Sequence, residues 1–376
     1  MKIERFYADL EKELNPNKVL VIYGPRQVGK TTLLEDYLAK TVYTYKLDTG
    51  DDIKTQNILS SSDVALIKEY VAGYELIAID EAQKIPHIGQ GLKILVDQIP
   101  GIRVIATGSS SFELAGQIGE PLTGRKNTIT LFTIAQKELS VLYNDFELKE
   151  KLGDWLVYGG YPDVVTASSK EAKTKILEEI LHSYLLKDIL ELEQVKSSKI
   201  LLNLLRLLAY QVGNEVSLTE LSAQVGIDYK TVSRYLDLFE KSFIVYNLRG
   251  FSRNLRSEIT KKSKYFFYDN GIRNALISNW NALETRDDIG KLWENFLFIE
   301  RFKKRSYERL SANAYFWRTW ERQEIDYVEE REGNMFGYEF KWNDNKKAAV
   351  PTQWKDAYPQ AHFEVISKNT YLPFLK

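Results

Sequence analysis

A short segment near the amino terminus has the residue types and spacing of a loop that binds phosphate. It reads Gly-Pro-Arg-Gln-Val-Gly-Lys-Thr from Gly24 to Thr31, which fits the pattern G-x-x-x-x-G-K-[ST]. Glycines let such a loop curl so that its N–H groups point at one centre, and the following helix adds about half a positive charge. We expect Lys30 to reach the β- and γ-phosphates of a nucleotide and the Thr31 hydroxyl to hold Mg²⁺. The residues predicted to bind the nucleotide are Gly24, Pro25, Arg26, Gln27, Val28, Gly29, Lys30, Thr31 and Thr32. The alternative is a glycine turn with a solvated lysine.

Two adjacent acids follow a second apolar run at 76–79. Asp80, at the carboxyl end of a buried strand, can hold the shell of the Mg²⁺ ion. Glu81, one residue further, can act on the attacking water as a general base, which contributes about 10²–10⁴-fold, or roughly 3–5 kcal/mol of barrier. The alternative is that the pair caps a helix. The phosphate loop upstream favours the catalytic interpretation.

Two further positions suit the transition state of phosphate transfer. A third apolar run at 103–107 ends in Gly108 and three serines, of which Ser109 is the first candidate to contact the γ-phosphate or the water. The alternative there is a plain strand-to-turn junction. Arg125 follows Gly124 just beyond this region and is a candidate arginine finger, acting in its own chain or in a neighbouring one. Its alternative is a surface arginine.

The carboxyl-terminal part carries a second set of charged residues with catalytic spacing. Asp326 lies in a short strand pattern, and Glu339 and Lys341 follow on one face of the next strand. Two acids and a lysine on adjacent strands can bind Mg²⁺ and orient a water for phosphodiester attack. This set resembles the PD-(D/E)xK nuclease fold, with Glu294 as an additional helix acid and Glu324 as an alternative first acid. The competing interpretation is a cross-strand salt bridge in an inactive nuclease-like fold.

The segment 216–246 reads as helix, turn, helix and strand. Gly226 suits the turn, and Asp228 can cap the second helix. On that helix Val232, Leu236 and Phe239 fall on the core side, and Tyr229, Lys230, Ser233 and Arg234 fall outside. The pattern resembles a winged helix-turn-helix in which Tyr229 to Lys241 form the recognition helix. Winged helices also serve as packing modules, so nucleic-acid contact is one of two interpretations.

A basic stretch follows at 249–264, and it also favours contact with nucleic acid. Its members are Arg249, Arg253, Arg256, Lys261, Lys262 and Lys264, opposed by Glu258. Side chains of this kind suit contacts with the phosphates of DNA. Any such site must be a local patch, because the net charge of the chain is only −1.

Composition excludes several classes of protein. The 376 residues suffice for two or three domains, and a hydrophobic content of 44% with 27% charged residues is ordinary for a globular protein. Cysteine is absent, which excludes disulfides and Cys-ligated metal, and the three histidines lie far apart. The amino terminus lacks the apolar core of a signal peptide, and no apolar run is long enough to span a membrane. We therefore expect a cytoplasmic protein without a membrane partner.

The elements that must position these residues change character along the chain. Up to about residue 135, the apolar runs at 19–23, 42–47, 76–79 and 103–107 alternate with helical patterns, which is typical of a parallel sheet with helices on both faces. Residues 136–190 are mainly helical, with a break at Gly159-Gly160. A compact helical unit runs to about residue 250, and the rest of the chain mixes strands and helices.

The order of these motifs resembles the AAA+ superfamily, and in particular ATPases whose AAA domain is joined to a carboxyl-terminal domain of unknown function of the DUF4143 type. The matching pieces are 24–31, 47–48, 79–83, 107–110, 122–125, 159–162, 268–271, 293–295 and 324–326, which together reach nearly the whole chain. The resemblance implies ATP and Mg²⁺ as cofactors. It also implies roles for Lys30, Thr31, Asp80, Glu81 and Arg125.

The sequence thus predicts an α/β protein of four parts. These are a P-loop AAA+ core with a parallel sheet at 1–135, a helical lid at 136–196, a winged helix-turn-helix at 197–255 and an α/β nuclease-like domain at 256–376. The predicted function is ATP hydrolysis coupled to DNA binding, with nuclease activity as a further possibility and ATP, ADP and DNA as partners. The alternative is a protein-remodelling or protein-interaction ATPase with an inactive nuclease-like fold. A homo-oligomer is required if Arg125 acts in a neighbouring subunit.

Overall fold

The first part of the chain is built around a parallel sheet. The computed structural model describes residues 3–109, 119, 121–185, 198–251, 263–343 and 349–376. The strands are β1 (Val19–Tyr23), β2 (Tyr45–Thr49), β3 (Leu76–Asp80), β4 (Arg103–Gly108) and β5 (Lys126–Thr130). They lie in the order β2-β3-β4-β1-β5, all parallel. The helices of this part are α1 (Lys30–Leu38), α2 (Ile53–Ser60), α3 (Val64–Tyr70) and α4 (Ile88–Gln98). The predicted α/β class with a parallel core is confirmed.

The central strands are apolar on both faces because helices cover both sides of the sheet. Leu20 and Ile22 of β1 belong to one hydrophobic cluster, and Val19 and Val21 belong to the cluster on the opposite face. This alternation follows from the two-residue period of a strand. The sequence shows no apolar run at β5, since Ile129 is the one residue of this strand that is buried.

A helical unit follows the sheet. Its helices are α5 (Gln136–Leu139), α6 (Asp145–Glu150), α7 (Leu152–Tyr158), α8 (Pro162–Thr166) and α9 (Lys170–Glu179), continued by a π-helical turn at Ile180–Leu185. The break expected at Gly159-Gly160 is present, and Gly159 has a φ of +73°. Pro162 opens α8, where its missing N–H is not needed.

The rest of the chain shares one larger sheet. The strands are β6 (Glu215–Val216), β7 (Val245–Gly250), β8 (Ser263–Phe267), β9 (Asn313–Arg318), β10 (Glu324–Arg331), β11 (Asn334–Lys341) and β12 (His362–Ser367). They form a seven-stranded sheet in the order β12-β11-β10-β9-β7-β8-β6. The helices here are α10 (Ser198–Tyr210), α11 (Leu218–Val225), α12 (Tyr229–Lys241), α13 (Asn270–Leu276), α14 (Ile289–Tyr307), α15 (Thr352–Ala357) and α16 (Tyr371–Leu375).

This sheet crosses the predicted boundary at 255/256. Strand β7 pairs with β8 as an antiparallel hairpin and with β9 as a parallel neighbour, Arg249 opposite Tyr315. The strands on either side of the boundary are therefore hydrogen-bonded to each other, and the division into four parts stays a prediction. Among the described residues, none of the helices combines the length and the apolar character that crossing a lipid bilayer requires.

Candidate functional site

The phosphate loop lies at the carboxyl edge of the parallel sheet, between β1 and α1. Gly24 packs so closely against the residue after β5 that a Cβ would lie 2.0 Å from the carbonyl oxygen of Leu131. Gly29 caps α1 with a φ of 91°. The buried Lys30 amine donates to the carbonyl oxygens of Gly24 at 3.0 Å and Pro25 at 2.8 Å. The loop therefore holds a cation at its centre, beside the amino terminus of a helix.

The predicted metal-holding residues meet at the mouth of this loop. The Thr31 hydroxyl donates to Asp80 Oδ2 at 2.9 Å. The Thr107 hydroxyl, from the end of β4, donates to Asp80 Oδ1, and it accepts the N–H of Glu81 at 3.2 Å. A hydroxyl and a carboxylate are hard oxygen ligands that suit Mg²⁺, which usually keeps several waters and binds substrate phosphates as well. Thr31 and Asp80 therefore have the oxygen ligands that a Mg²⁺ ion needs.

Glu81 and Ser109, also predicted for this site, lie at the same edge. Glu81 has a left-handed backbone, φ 50°, and its Oε2 accepts the Gln83 amide at 2.6 Å, which orients the carboxylate. Ser109 is buried and directly follows Gly108, which is the register partner of Tyr23 at the end of β1. Ser110 and Ser111 lie outside the described residues. The sequence interpretation missed Thr107 as a contact of both acids, although a polar residue closing an apolar strand was a usable signal.

Arg125 lies at the opposite edge of the sheet. It precedes Lys126, the first residue of β5, which pairs with Val19 at the start of β1. The loop follows Tyr23 at the other end of this five-residue strand, so roughly 16 Å of strand separates the two edges. Arg125 is partly exposed and pairs with Asp97, Nε to Oδ1 2.6 Å. The structure thus corrects the expectation for the chain's own site, and a contribution to a neighbouring subunit stays a prediction.

Arg5 connects the phosphate loop to the helical unit. Its guanidinium donates to the carbonyl oxygens of Val28 and Phe132, and its Nε pairs with Glu138 at 2.8 Å. Burial opposes the charge of Arg5, but Glu138 raises the pKa of the guanidinium above its usual value. No periodic pattern marks the segment around Arg5, so nothing in the sequence signalled this contact.

A cavity of about 700 Å³ opens between the loop, the amino-terminal segment and the helical unit. It is lined by Arg5, Gly29 and Thr32 on one side and by Pro162 and Thr166 of α8 on the other. This volume lies within the roughly 300–1,000 Å³ of small-molecule sites. A ligand bound by the loop therefore has room to extend towards α8.

The helix-turn-helix pattern is present as α11, a turn with Gly226 at φ 72°, and α12. Asp228 caps α12 by accepting the N–H groups of Lys230 and Thr231, both at 3.0 Å. The side chains predicted to face outward, Tyr229, Lys230, Ser233 and Arg234, are exposed, and Val232, Leu236 and Phe239 are buried. The predicted orientation of the helix is confirmed.

The residues of the basic stretch differ in their exposure to solvent. Arg249 is exposed at the end of β7, and Arg253, Arg256, Lys261 and Lys262 lie outside the described residues. Lys264 is buried at 2% exposure, and its amine pairs with Glu324 at 2.6 Å and Glu294 at 3.4 Å. The expectation that Lys264 offers charge to nucleic acid is wrong, because internal carboxylates already neutralise the charge.

The four carboxyl-terminal acids, Glu294, Glu324, Asp326 and Glu339, converge with Lys264 and Lys341 into one group, which we call the carboxylate cluster. Asp326 Oδ2 accepts the N–H of Phe340 at 2.8 Å, and Glu339 pairs with Lys341. Burial raises the pKa of Asp326 and of Glu339.

Glu294 is the most perturbed acid of the cluster. Burial, opposed by Lys264 and reinforced by the Asp326 carboxylate, raises its pKa to about 8. In the part of the chain that the structure describes, no group of three or more Asp, Glu or His side chains is arranged to hold a metal ion. In this conformation Lys264 and Lys341 are paired with carboxylates of the cluster, and the metal role of Asp326 and Glu339 stays a prediction.

A parallel sheet with this loop after β1 and an Asp-Glu pair after β3 defines a P-loop nucleotide-binding protein. Residues 16–140 match the family model of the AAA domain, and residues 289–372 match that of a domain of unknown function, DUF4143. A second domain of unknown function, DUF8612, matches residues 149–283. The chain thus matches an AAA domain in its first part and a DUF4143 domain in its last part, the combination that the sequence resemblance indicated.

Similar proteins occur in distant organisms. An uncharacterized protein of Mycobacterium tuberculosis is 28% identical over 89% of this chain and 72% of its own length. One of Haemophilus influenzae is 28% identical over 80% of this chain and 78% of its own length. One of Methanocaldococcus jannaschii is 24% identical over 78% of this chain and 68% of its own length. These relatives carry no stated activity.

Two solved structures share weak similarity with the chain. One is a Signal Transduction ATPase with Numerous Domains from Pyrococcus horikoshii, with a TM-score of 0.30 and 14% identity over 79% of this chain and 44% of that one. The other is a Pif1 helicase on forked DNA, with a TM-score of 0.27 and 13% identity over 48% of this chain and 52% of that one. At these scores neither supports an inference about function.

Proposed function

We propose that the chain hydrolyses ATP to ADP and phosphate in a Mg²⁺-dependent reaction at the edge of the parallel sheet. The hydrogen-bonded series from Thr31 through Asp80 to Thr107, at the mouth of the loop, carries the proposal. Thr31 and Asp80 would hold a Mg²⁺ ion, which would supply positive charge near the phosphate oxygens. Lys30 leaves its loop carbonyls to contact the same phosphates, and the helix dipole of α1 adds to the field.

Glu81 is the proposed general base. Gln83 holds one carboxylate oxygen, and the N–H of Glu81 donates to Thr107, so the backbone and the side chain are both fixed. The carboxylate takes a proton from the water as the water attacks the γ-phosphate. Ser109, buried just after β4, is the proposed contact of that phosphate or of the water. The cavity beside Thr32 and Pro162 receives the base and ribose of the nucleotide.

Two substitutions separate binding from hydrolysis. Lys30→Ala should abolish ATP binding, because the central cation of the loop is removed. Glu81→Gln should bind ATP but turn it over about 10²–10⁴-fold more slowly. Binding of a fluorescent ATP analogue and release of phosphate measure the two steps. The matched controls are Lys68→Ala and Glu69→Gln on the exposed face of α3, which should change neither. Normal turnover by Glu81→Gln would refute the general base.

We propose DNA as the partner of the ATPase, contacted by the exposed face of α12. Support comes from Lys230 and Arg234, which stand exposed beside Tyr229 and Ser233 on a capped helix. Removing one side chain that neutralises a DNA phosphate should reduce the slope of log affinity against log salt by about 0.9. Lys230→Ala with Arg234→Ala should therefore weaken binding and flatten the slope, and Lys18→Ala on the exposed surface of the ATPase core should not. DNA affinity that does not depend on salt would contradict the proposal.

The carboxylate cluster favours a nuclease-like unit that is silent in this conformation, because both lysines of the cluster are paired and no metal group is formed among the described residues. An active nuclease would instead cut DNA, and both Asp326→Ala and Lys341→Ala would abolish the cutting while leaving ATP turnover intact.

The remaining candidate is a protein-remodelling ATPase. Turnover that is indifferent to DNA and RNA but rises with a protein would identify that function.

A further inference from the structure

Lys264 occupies the interior of the carboxylate cluster although it comes from a distant part of the sheet. It lies on β8, opposite Glu215 of β6 and Leu248 of β7. Its side chain is 3% exposed and reaches Glu324 of β10 and Glu294 of α14. A lysine is almost never buried to this degree unless it is paired.

The surrounding charges keep this lysine ionised. Burial alone would lower the pKa of Lys264, but the carboxylates of Glu294, Glu324 and Asp326 raise it above the usual value. The ammonium therefore remains a cation among several acids, with its position fixed by the backbone pairing of β8. A buried cation that is held by carboxylate oxygens has the same electrostatic role as a bound metal ion.

We propose that Lys264 is a built-in cation that excludes divalent metal from the carboxylate cluster, so that a metal ion can enter only when this lysine withdraws. The inference goes beyond the proposed ATPase and does not depend on it. With Lys264 in place, its ammonium takes the carboxylate oxygens that a metal would use. Without it, Glu294, Glu324 and Asp326 become mutually repelling acids that take up either another cation or protons.

Withdrawal of Lys264 breaks the ion pairs that join β8 to β10 and to α14. A second ion pair joins other strands of the same sheet, because Arg318 of β9 pairs with Glu215 of β6 at 3.1 Å. The two contacts lie side by side, since Lys264 and Glu215 are register partners. Metal access is therefore linked to the position of β6, which precedes the helix-turn-helix in the chain, and of β7 and β8, which follow it.

The test measures the binding of Mn²⁺ to the full chain without nucleotide. The electron paramagnetic resonance signal of the free ion gives the amount that is not bound. All variants carry Asp80→Asn, which removes the metal-holding acid of the nucleotide site. With Lys264 present, no Mn²⁺ should bind at the cluster. Lys264→Met, which keeps the length of the side chain but not the charge, should gain one site, and adding Asp326→Asn should remove it again.

The matched control is Lys303→Met. Lys303 is another buried lysine, and it pairs with Glu300 at 2.7 Å outside the cluster, so its replacement should create no Mn²⁺ site. Binding of Mn²⁺ with Lys264 in place, abolished by Asp326→Asn, would overturn the proposal, as would a folded Lys264→Met chain that binds none. If Lys264→Met unfolds alone, Mn²⁺ should restore its near-ultraviolet circular dichroism, and failure to do so would also count against the proposal.

Discussion

Thr107 shows how one hydroxyl can align two acids with different roles. It donates to Asp80, the proposed metal-holding carboxylate, and accepts the N–H of Glu81, the proposed base. Thr107 is fully buried at the end of β4, so water cannot replace these hydrogen bonds. The geometry of the acids therefore depends on a residue that is not expected to touch the nucleotide.

We expect Thr107→Val to slow ATP hydrolysis by about 10–100-fold, the usual effect of removing a partner behind a metal ligand. Valine keeps the shape of threonine but cannot hydrogen-bond, so Asp80 and the Glu81 N–H are both left without this partner. The measurement is phosphate release at saturating ATP with varied Mg²⁺. Thr107→Ser keeps the hydroxyl and should retain most of the activity. Equal rates for the valine and serine variants would show that the alignment does not matter.

At the scale of elements, the break between α7 and α8 is held by a buried carboxylate from another part of the chain. Asp269, the cap of α13, accepts the N–H of Gly160 at 2.7 Å and that of Gly271 at 2.8 Å. A Cβ on Gly159 would lie 1.9 Å from Asp269 Oδ1. The helical unit and α13 therefore meet so closely that they leave no room for a side chain.

Gly159→Ala should lower the free energy of unfolding by more than the roughly 1–3 kcal/mol that a positive φ alone costs, because the new methyl group also collides with Asp269. Gly101→Ala is the matched control, since Gly101 has a φ of +81° and nothing within 4 Å of its ideal Cβ. Urea unfolding of both variants gives the comparison. Similar decreases at the two positions would mean that Asp269 yields without cost.

Periodicity and motif spacing predicted the apolar strands β1, β3 and β4, the loop and the Asp80-Glu81 pair, because each signal lies within a few residues. Contacts across the chain left no such signal. Arg5 meets Glu138, and Lys264 meets Glu324, through pairings that depend on how the sheets fold. The position of Arg125 could be predicted only with the strand order known. Arg125 follows β4 in sequence, but it lies just before β5, at the edge of the sheet opposite the phosphate loop.

At the scale of the whole molecule, one buried arginine connects a local group of ion pairs to a helix that is distant in sequence. Asp288, just before α14, pairs with Arg273 of α13 and with Arg286 at 2.8 Å. Arg273 also donates to the carbonyl oxygen of Ala209 in α10 at 2.8 Å. One carboxylate thus compensates two arginines where three helices meet.

Asp288→Asn should destabilise the chain by about 3–5 kcal/mol at neutral pH, because it leaves two buried arginines without this partner charge. Burial acts to raise the pKa of Asp288, but Arg286 and Arg273 lower it to about 2. The contribution of Asp288 is therefore complete above the unfolded value near 3.8 and is lost as the pH falls towards about 2. Denaturant unfolding of both chains should show the difference shrinking below about pH 4. A difference that does not change with pH would point to another cause.

The shared seven-stranded sheet has a consequence for the ancestry of this protein. The DUF8612 match ends at 283 and the DUF4143 match begins at 289, yet the pairing of β7 with β9 joins strands from both sides of that border. A recombination event that separated the two halves would leave each with an unpaired strand edge, which promotes aggregation. We therefore expect lineages to inherit the two segments together, as one unit that two family models describe.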